Sequence, residues 1–110
     1  MKTIDNSELY EARAEVARAF SHPLRLKIID LLAEEGEMCV CEFTDCLDAS
    51  QSSISKHLKI LRQAGILERK SQGLKNYYAL RVPCTVNFFD CLDQVLQEDY
   101  KKKRDSLDLV

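Results

Sequence analysis

The hydrophobic period of this chain changes at Gly65. Before it, apolar residues recur at helical spacing. After it, Ile66 to Lys70 and Lys75 to Leu80 read as two strands around the turn Ser71-Gln72-Gly73-Leu74, and beyond Pro83 the helical period returns. A chain that leaves a helix at a glycine, makes one hairpin and re-enters a helix has few folds open to it. The expected class is mainly α with a single β-hairpin, an α+β arrangement.

The helices can be placed from caps and stripes. Glu8 to Phe20 is rich in the helix formers Ala, Glu and Arg, with Leu9, Val16 and Phe20 as its apolar stripe. Ser21 is the expected N-cap of a second helix, which tolerates Pro23 in its first turn, repeats Leu24, Ile28, Leu31 and Leu32, and stops at Gly36. A third helix, Val40 to Leu47, turns Val40, Phe43 and Leu47 inward. Asp48-Ala49-Ser50 is a tight connection, and Ser50 caps a fourth helix that runs to Ala64 over Ile54, Leu58 and Leu61, with Gly65 as its C-cap. Two helices joined by a short turn, the second polar at its start, make a helix-turn-helix, and a hairpin directly after it is a wing. A last helix from Thr85 to Lys103 carries Phe88, Phe89, Leu92, Val95 and Leu96 on one stripe. The end, Asp105 to Val110, is expected to fray.

At 110 residues and 45% hydrophobic content, the chain suits one domain spanning 1–110. Its core is modest, so burial in a dimer would add stability. No apolar run reaches the roughly 18 residues of a membrane span. Met1-Lys2-Thr3-Ile4-Asp5-Asn6 lacks the apolar stretch of a secretory signal, so the expected location is cytoplasmic, with no membrane partner. Cys39, Cys41, Cys46, Cys84 and Cys91 are an odd set for internal disulfides; in a reducing compartment they are structural, metal-binding or redox-sensing thiols. With three glycines in all, no phosphate-binding glycine loop is present; nor is there a catalytic triad or a CxxC pair, so no enzyme is expected.

The formal net charge of −2 hides a strong asymmetry. From Ser50 to Arg81 there are seven basic residues and one acid, Glu68, which leaves +6 on this stretch and −8 on the remainder. Such a patch is the electrostatic footprint of nucleic-acid binding, although the same residues can simply solvate a helix and a hairpin. The residue types favour the first. Gln51, Ser52, Ser53, Ser55, Lys56 and Lys59 lie off the buried stripe at the start of the fourth helix, where a helix in the major groove meets base edges. His57 precedes the core residue Leu58 and suits a framework histidine bonding to backbone or phosphate. In the wing, Lys70, Gln72, Lys75 and Asn76 are placed for phosphate or the minor groove.

Cys39-Val40-Cys41 is a close dithiol, a soft-metal or redox group. On a regular helix i and i+2 point nearly opposite ways; on a strand they share a face about 6.6 Å apart. Chelation of one ion by both sulfurs therefore favours an irregular or unwound start to the third helix. Cys46 is seven residues after Cys39, on the same helical side but two turns or about 10.5 Å away. It is either a further ligand or a buried thiol. Cys84 and Cys91 are also seven apart. They offer a second or inter-subunit site, or else Cys91 packs beside Phe88 and Val95 at a dimer seam.

Taken in order, His22-Pro23-Leu24-Arg25-Leu26-Lys27-Ile28-Ile29, Cys39-Val40-Cys41-Glu42, Ser50-Gln51-Ser52-Ser53-Ile54-Ser55-Lys56-His57-Leu58, Leu61-Arg62, Gly65-Ile66-Leu67 and Tyr77-Tyr78-Ala79-Leu80 resemble the ArsR/SmtB repressors over roughly residues 8–100. The resemblance implies a homodimeric winged helix-turn-helix that binds double-stranded operator DNA when empty and releases it when a metal or metalloid binds. The first and last helices would form the dimer. Cys39 and Cys41 match the family's Cys-Val-Cys motif, which implies thiolate sensing of arsenite, antimonite or another soft metal ion. The arsenic-responsive pattern places a third cysteine three residues after the second; here Thr44 stands there. The family's zinc site on the last helix needs histidines, and neither His22 nor His57 lies on it. Its cadmium and lead sensors use cysteines near the N-terminus, and none precedes Cys39. A zinc site of Cys39, Cys41 and Cys46 lacks a fourth ligand. A thiol-redox-switched repressor of the same fold and a winged-helix module that does not bind DNA are the alternatives.

Overall fold

The computed structural model describes residues 6–108, with the side chains of Cys84 and of 106–108 outside that description. The elements are α1 (Asn6–Ala19), α2 (Pro23–Glu35), β1 (Glu37–Cys39), α3 (Val40–Cys46), α4 (Gln51–Gln63), β2 (Leu67–Gln72), β3 (Lys75–Leu80), a 3₁₀ turn at Pro83–Thr85, and α5 (Val86–Asp108). Helix-turn-helix and wing are formed by α3, α4 and the β2–β3 hairpin.

The core is the set of stripes that the helical periods define. On α4, Ile54, His57, Leu58 and Leu61 are buried at i, i+3, i+4 and i+7, so one face of the helix is inside and the other is in water. They meet Ile28, Ile29 and Leu32 of α2 and Phe43 of α3, with Met38, Ile66, Leu67 and Tyr78 closing the sheet side. Gly65, with φ of 84°, ends α4; its N–H donates to the Arg62 carbonyl and the Ile66 N–H to the Leu61 carbonyl, which turns the chain into β2.

Three elements differ from the sequence expectation. The N-cap of α2 is His22 rather than Ser21: its Nδ1 accepts from the Leu24 N–H at 3.1 Å. Pro23 occupies the first helical turn and forces the residue before it into extended backbone, so only His22 can be the cap. Ser21 instead donates its hydroxyl to the Arg18 carbonyl and closes α1. Second, the hairpin gains a third strand. The sheet order is β1-β3-β2, antiparallel throughout, with Glu37 opposite Ala79, Met38 opposite Tyr78 and Cys39 opposite Tyr77. Third, α5 starts at Val86 and continues to Asp108 instead of fraying from Asp105, while Leu109 and Val110 lie outside the described residues.

The terminal helices contribute little to this core. Ala19 is the only buried residue of α1, Leu9 is half-buried and Val16 is exposed. On α5, Phe89 rests on the core and Phe88 meets Phe20 at 5.0 Å between ring centroids, but Val95, Leu96 and Tyr100 stand in water, Tyr100 69% exposed. The radius of gyration, 17.5 Å, exceeds the about 13 Å of a compact chain of this size. α5 is 23 residues long, about 35 Å, and projects beyond the body it is rooted in.

Phe43 is fully buried between α2, α4 and the sheet and is the largest such side chain. Phe43→Ala is expected to lower stability by about 3–5 kcal/mol, read as a fall in urea midpoint with unchanged m. A loss under about 1 kcal/mol would mean that α3 is held by other contacts.

Candidate nucleic-acid interface and its thiol pair

The polar start of α4 is built by a serine cap. Ser50 is extended, and its Oγ accepts from the Ser53 N–H at 3.1 Å and lies 3.2 Å from the Ser52 hydroxyl. With the helix begun there, Gln51, Ser52, Ser55, Lys56 and Lys59 are all exposed, and Ser53 is half-buried beneath the cap. The first-turn amides and these side chains thus share one solvent-facing end, the end that enters a groove in a helix-turn-helix.

The wing supplies a second cationic surface. Gly73, with φ of 63°, and Leu74 make a two-residue turn between Gln72 and Lys75, the II′ pattern that suits strand twist. Lys70, Gln72, Lys75 and Asn76 are all exposed, as expected. Asn76 is partly committed: its Oδ1 accepts from the Ser71 hydroxyl at 2.9 Å, which leaves its amide hydrogens free to donate.

His57 is 9% exposed and sits on the inner face of α4, apart from the exposed candidates. Its Nδ1 lies 3.1 Å from Arg25 Nη1, and its ring packs on that of His22 with centroids 4.3 Å apart. A guanidinium only donates, so Nδ1 is an acceptor and the proton of the neutral ring is on Nε2. Burial first, then the charges of His22, Arg25 and Lys56, hold His57 below the usual imidazole range.

The thiol pair sits where sheet becomes helix. Cys39 is the last residue of β1 and the N-cap of α3, extended at φ −92° and ψ 167°; Cys41 is the second residue of α3. This mixed backbone sets both thiols at the junction of β1 and α3 without any unwinding of α3. The Cys39 N–H donates to Glu42 Oε1 at 3.1 Å, and the Glu42 N–H faces the Cys39 sulfur, a capping box with sulfur in the hydroxyl's place. Cys39 is only 4% exposed and Cys41 is exposed. The bond to Cys41, followed by burial, pushes the Cys39 thiol above its usual range, while the bond from the Cys39 amide holds the Glu42 carboxyl down.

Cys46 does not join them. It ends α3, is exposed rather than buried, and borders a shallow cleft with Lys27, Asp30 and Glu34. Among the described residues, no three His, Cys, Asp or Glu side chains gather as an ion site. Two neighbouring thiols are soft donors of the kind a soft ion would take. Cys91 is exposed on α5, and the side chain of Cys84 lies outside the description. Sequence reasoning missed β1, the Glu42 box and Arg25. The spacing Cys39-x-x-Glu42 carries the second; a three-residue strand has too few alternations to be read.

Comparison with known proteins gives the same picture. A family model described as bacterial regulatory protein, arsR family, matches residues 22–69. An HTH-type transcriptional regulator of Methanocaldococcus jannaschii is 49% identical over 71 residues, which cover 64% of this chain and 80% of that protein. The arsenical resistance operon repressor of Bacillus subtilis is 35% identical over 74 residues, 67% of this chain and 70% of that one. The Escherichia coli repressor of the same description is 48% identical over 56 residues, 51% of this chain, and the chain spans only 48% of its length. Among solved structures, the homodimeric winged helix-turn-helix DNA-binding domain of a possible ArsR-family regulator from Mycobacterium bovis superposes with a TM-score of 0.74 at 26% identity, covering 89% of this chain and 92% of that one.

Burial and pairing predict an order of thiol reactivity. With limiting iodoacetamide at neutral pH, Cys41, Cys46 and Cys91 are expected to be alkylated before Cys39, read by peptide mass spectrometry. Equal rates at Cys39 and Cys41 would contradict the buried, protonated state described for Cys39.

Proposed function

The chain belongs to the ArsR/SmtB family of transcriptional regulators, and from that premise we propose that it is a homodimeric repressor that holds operator DNA when empty and releases it when arsenite or antimonite binds Cys39 and Cys41. The observation that carries this reading is the place of the thiol pair. Cys39 is at once the end of a strand paired to the wing and the cap of the helix that packs on α4. Any ion that claims its sulfur acts on both DNA-facing elements.

The chemistry balances with two thiols. Arsenite, As(OH)₃, exchanges two hydroxides for two sulfurs; each thiol proton leaves with a hydroxide as water, and one hydroxide stays on arsenic or is replaced by a small thiol. Cys39 must give up its contact with Cys41 and its place in the Glu42 box. The ion therefore favours a conformation in which the start of α3 has moved, and that difference in affinity is what shifts the equilibrium away from DNA. DNA contact is assigned to Gln51, Ser52, Ser55, Lys56 and Lys59 in the major groove and to Lys70, Gln72, Lys75 and Asn76 from the wing. Dimerisation is supported by the exposed apolar residues of α5 and α1, which a monomer leaves in water.

Two tests follow, both on a duplex selected by the parent protein from a random-sequence pool, under anaerobic conditions with a phosphine reductant. In arsenite titrations followed by fluorescence anisotropy, the parent is expected to release the duplex. Cys39→Ser and Cys41→Ser should bind it as the parent does and resist release, while Cys46→Ser responds. Release of a Cys39→Ser, Cys41→Ser double variant at the parent's arsenite level would reject the sensor; loss of binding on oxidation with no response to arsenite would favour a redox switch. In the second test, Lys56→Ala and Lys59→Ala should each weaken binding and lower the slope of log K against log salt by about one. Unchanged affinity and slope in both would take α4 out of the interface.

A further inference from the structure

Behind the exposed face of α4 is a partly buried polar cluster that neither the proposed DNA contact nor ion binding uses. Arg25, half-buried on the first turn of α2, makes three bonds. Its Nε donates to the Ala19 carbonyl at 2.8 Å, its Nη2 to the Arg18 carbonyl at 3.3 Å, and its Nη1 to His57 Nδ1 at 3.1 Å. The first two partners are carbonyls at the C-terminal end of α1, that of Arg18 shared with the Ser21 amide and hydroxyl, where a cation also meets the negative end of the helix dipole. The third is on α4. Opposite it, the His22 ring packs against His57 at a tilt of 40° and is itself fixed as the cap of α2 through its Nδ1. One planar fork thus joins the end of α1 and the start of α2 to the middle of α4, and among the described residues its link to α4 is a single imidazole nitrogen.

We propose that Arg25 is a positioning residue for DNA recognition, its guanidinium fixing α4 against the end of α1 through His57 Nδ1, so that the setting of the terminal helix is passed to the reading helix. The inference rests on α4 being the reading element. It follows from the donor chemistry: Arg25 cannot serve phosphate while all its bonds point inward, and His57 cannot serve bases from the inner face. Loss of this link leaves every outward cation in place and changes only how the helix is held. Specific binding suffers while non-specific attraction, set by the cations, persists.

The link also has an acid limit with a defined sign. Nδ1 accepts only while the ring is neutral. The groups facing His57 are His22 and Arg25 from α2 and its cap, and Lys56 from α4, all of them cationic or able to become so. None of them stabilises a second proton on the ring, so the link is intact at neutral pH and opens only as pH falls below the ordinary histidine range of about 6.5.

The test measures the ratio of affinities for the pool-selected duplex and a scrambled duplex, with sedimentation and circular dichroism confirming assembly and fold. Arg25→Ala and His57→Phe, the latter keeping the ring's volume without an acceptor, are each expected to cut the ratio about ten-fold at neutral pH, mostly through the selected duplex. His57→Asn places an amide oxygen where Nδ1 stood; it should retain more of the ratio than His57→Phe and lose the parent's fall between pH 7.5 and 5. Should Arg25→Ala fail to fold, the Phe and Asn pair decides. A parental ratio in His57→Phe overturns the inference, as does an equal loss in Phe and Asn. A triple variant, Gln51→Ala with Ser52→Ala and Ser55→Ala, separates the two levels. No fall there removes α4 as the reader and the inference with it, whereas a fall there beside a parental ratio in His57→Phe removes the inference alone.

Discussion

Three residues of extended chain, Glu37–Cys39, join the wing to the helix-turn-helix. By pairing with β3 they hold Cys39 out of the helical region, so that α3 begins at Val40 and its first free amides point at a sulfur. The same pairing sets Cys39 opposite Tyr77, and Tyr77 is opposite Lys70 on the other side. Directly opposed residues share a face, so thiol, phenol and wing cation lie in one row across the sheet. A three-residue strand is weak on its own account; the burial of Met38 and Cys39 is what keeps it in register.

The charge distribution gives this architecture a direction. The segment from Ser50 to Arg81 is positive while the rest of the chain is strongly negative. A polyanion is drawn to one side and repelled from the others, so the field orients the approach before any contact forms. Exposed lysines, whose long side chains tolerate small shifts, carry that field, while the seating of α4 rests on the residues of its inner face; the two are physically separate.

Much of this was legible in the sequence because it rests on period and caps. Ile54, Leu58 and Leu61 placed α4, Gly65 ended it, and the hairpin turn was marked by Gly73. The exposed candidates on α4 and the wing are where their polarity put them. What could not be read depends on pairing at a distance. Cys39 and Cys41 looked ill-placed on a helix because β1 is defined by Tyr77 and Tyr78, which lie far along the chain. His57 read as a framework histidine, but its partners, His22 and Arg25, could not be named because they are more than 30 residues away. The choice of His22 over Ser21 as a cap was local, and Pro23 encoded it.

In the order β1-β3-β2, the outer side of β2 has no neighbouring strand among the described residues. Its free amides and carbonyls are a template on which another copy could extend the sheet. The strand is six residues long and carries Glu68, Arg69 and Lys70 in succession, all exposed. Two copies meeting edge to edge would have to dehydrate those charges without any guarantee of matching signs. The wing can therefore remain an open, solvated ribbon at high protein concentration, and the chain is spared the fibrous association that a bare edge of Val and Ile would invite.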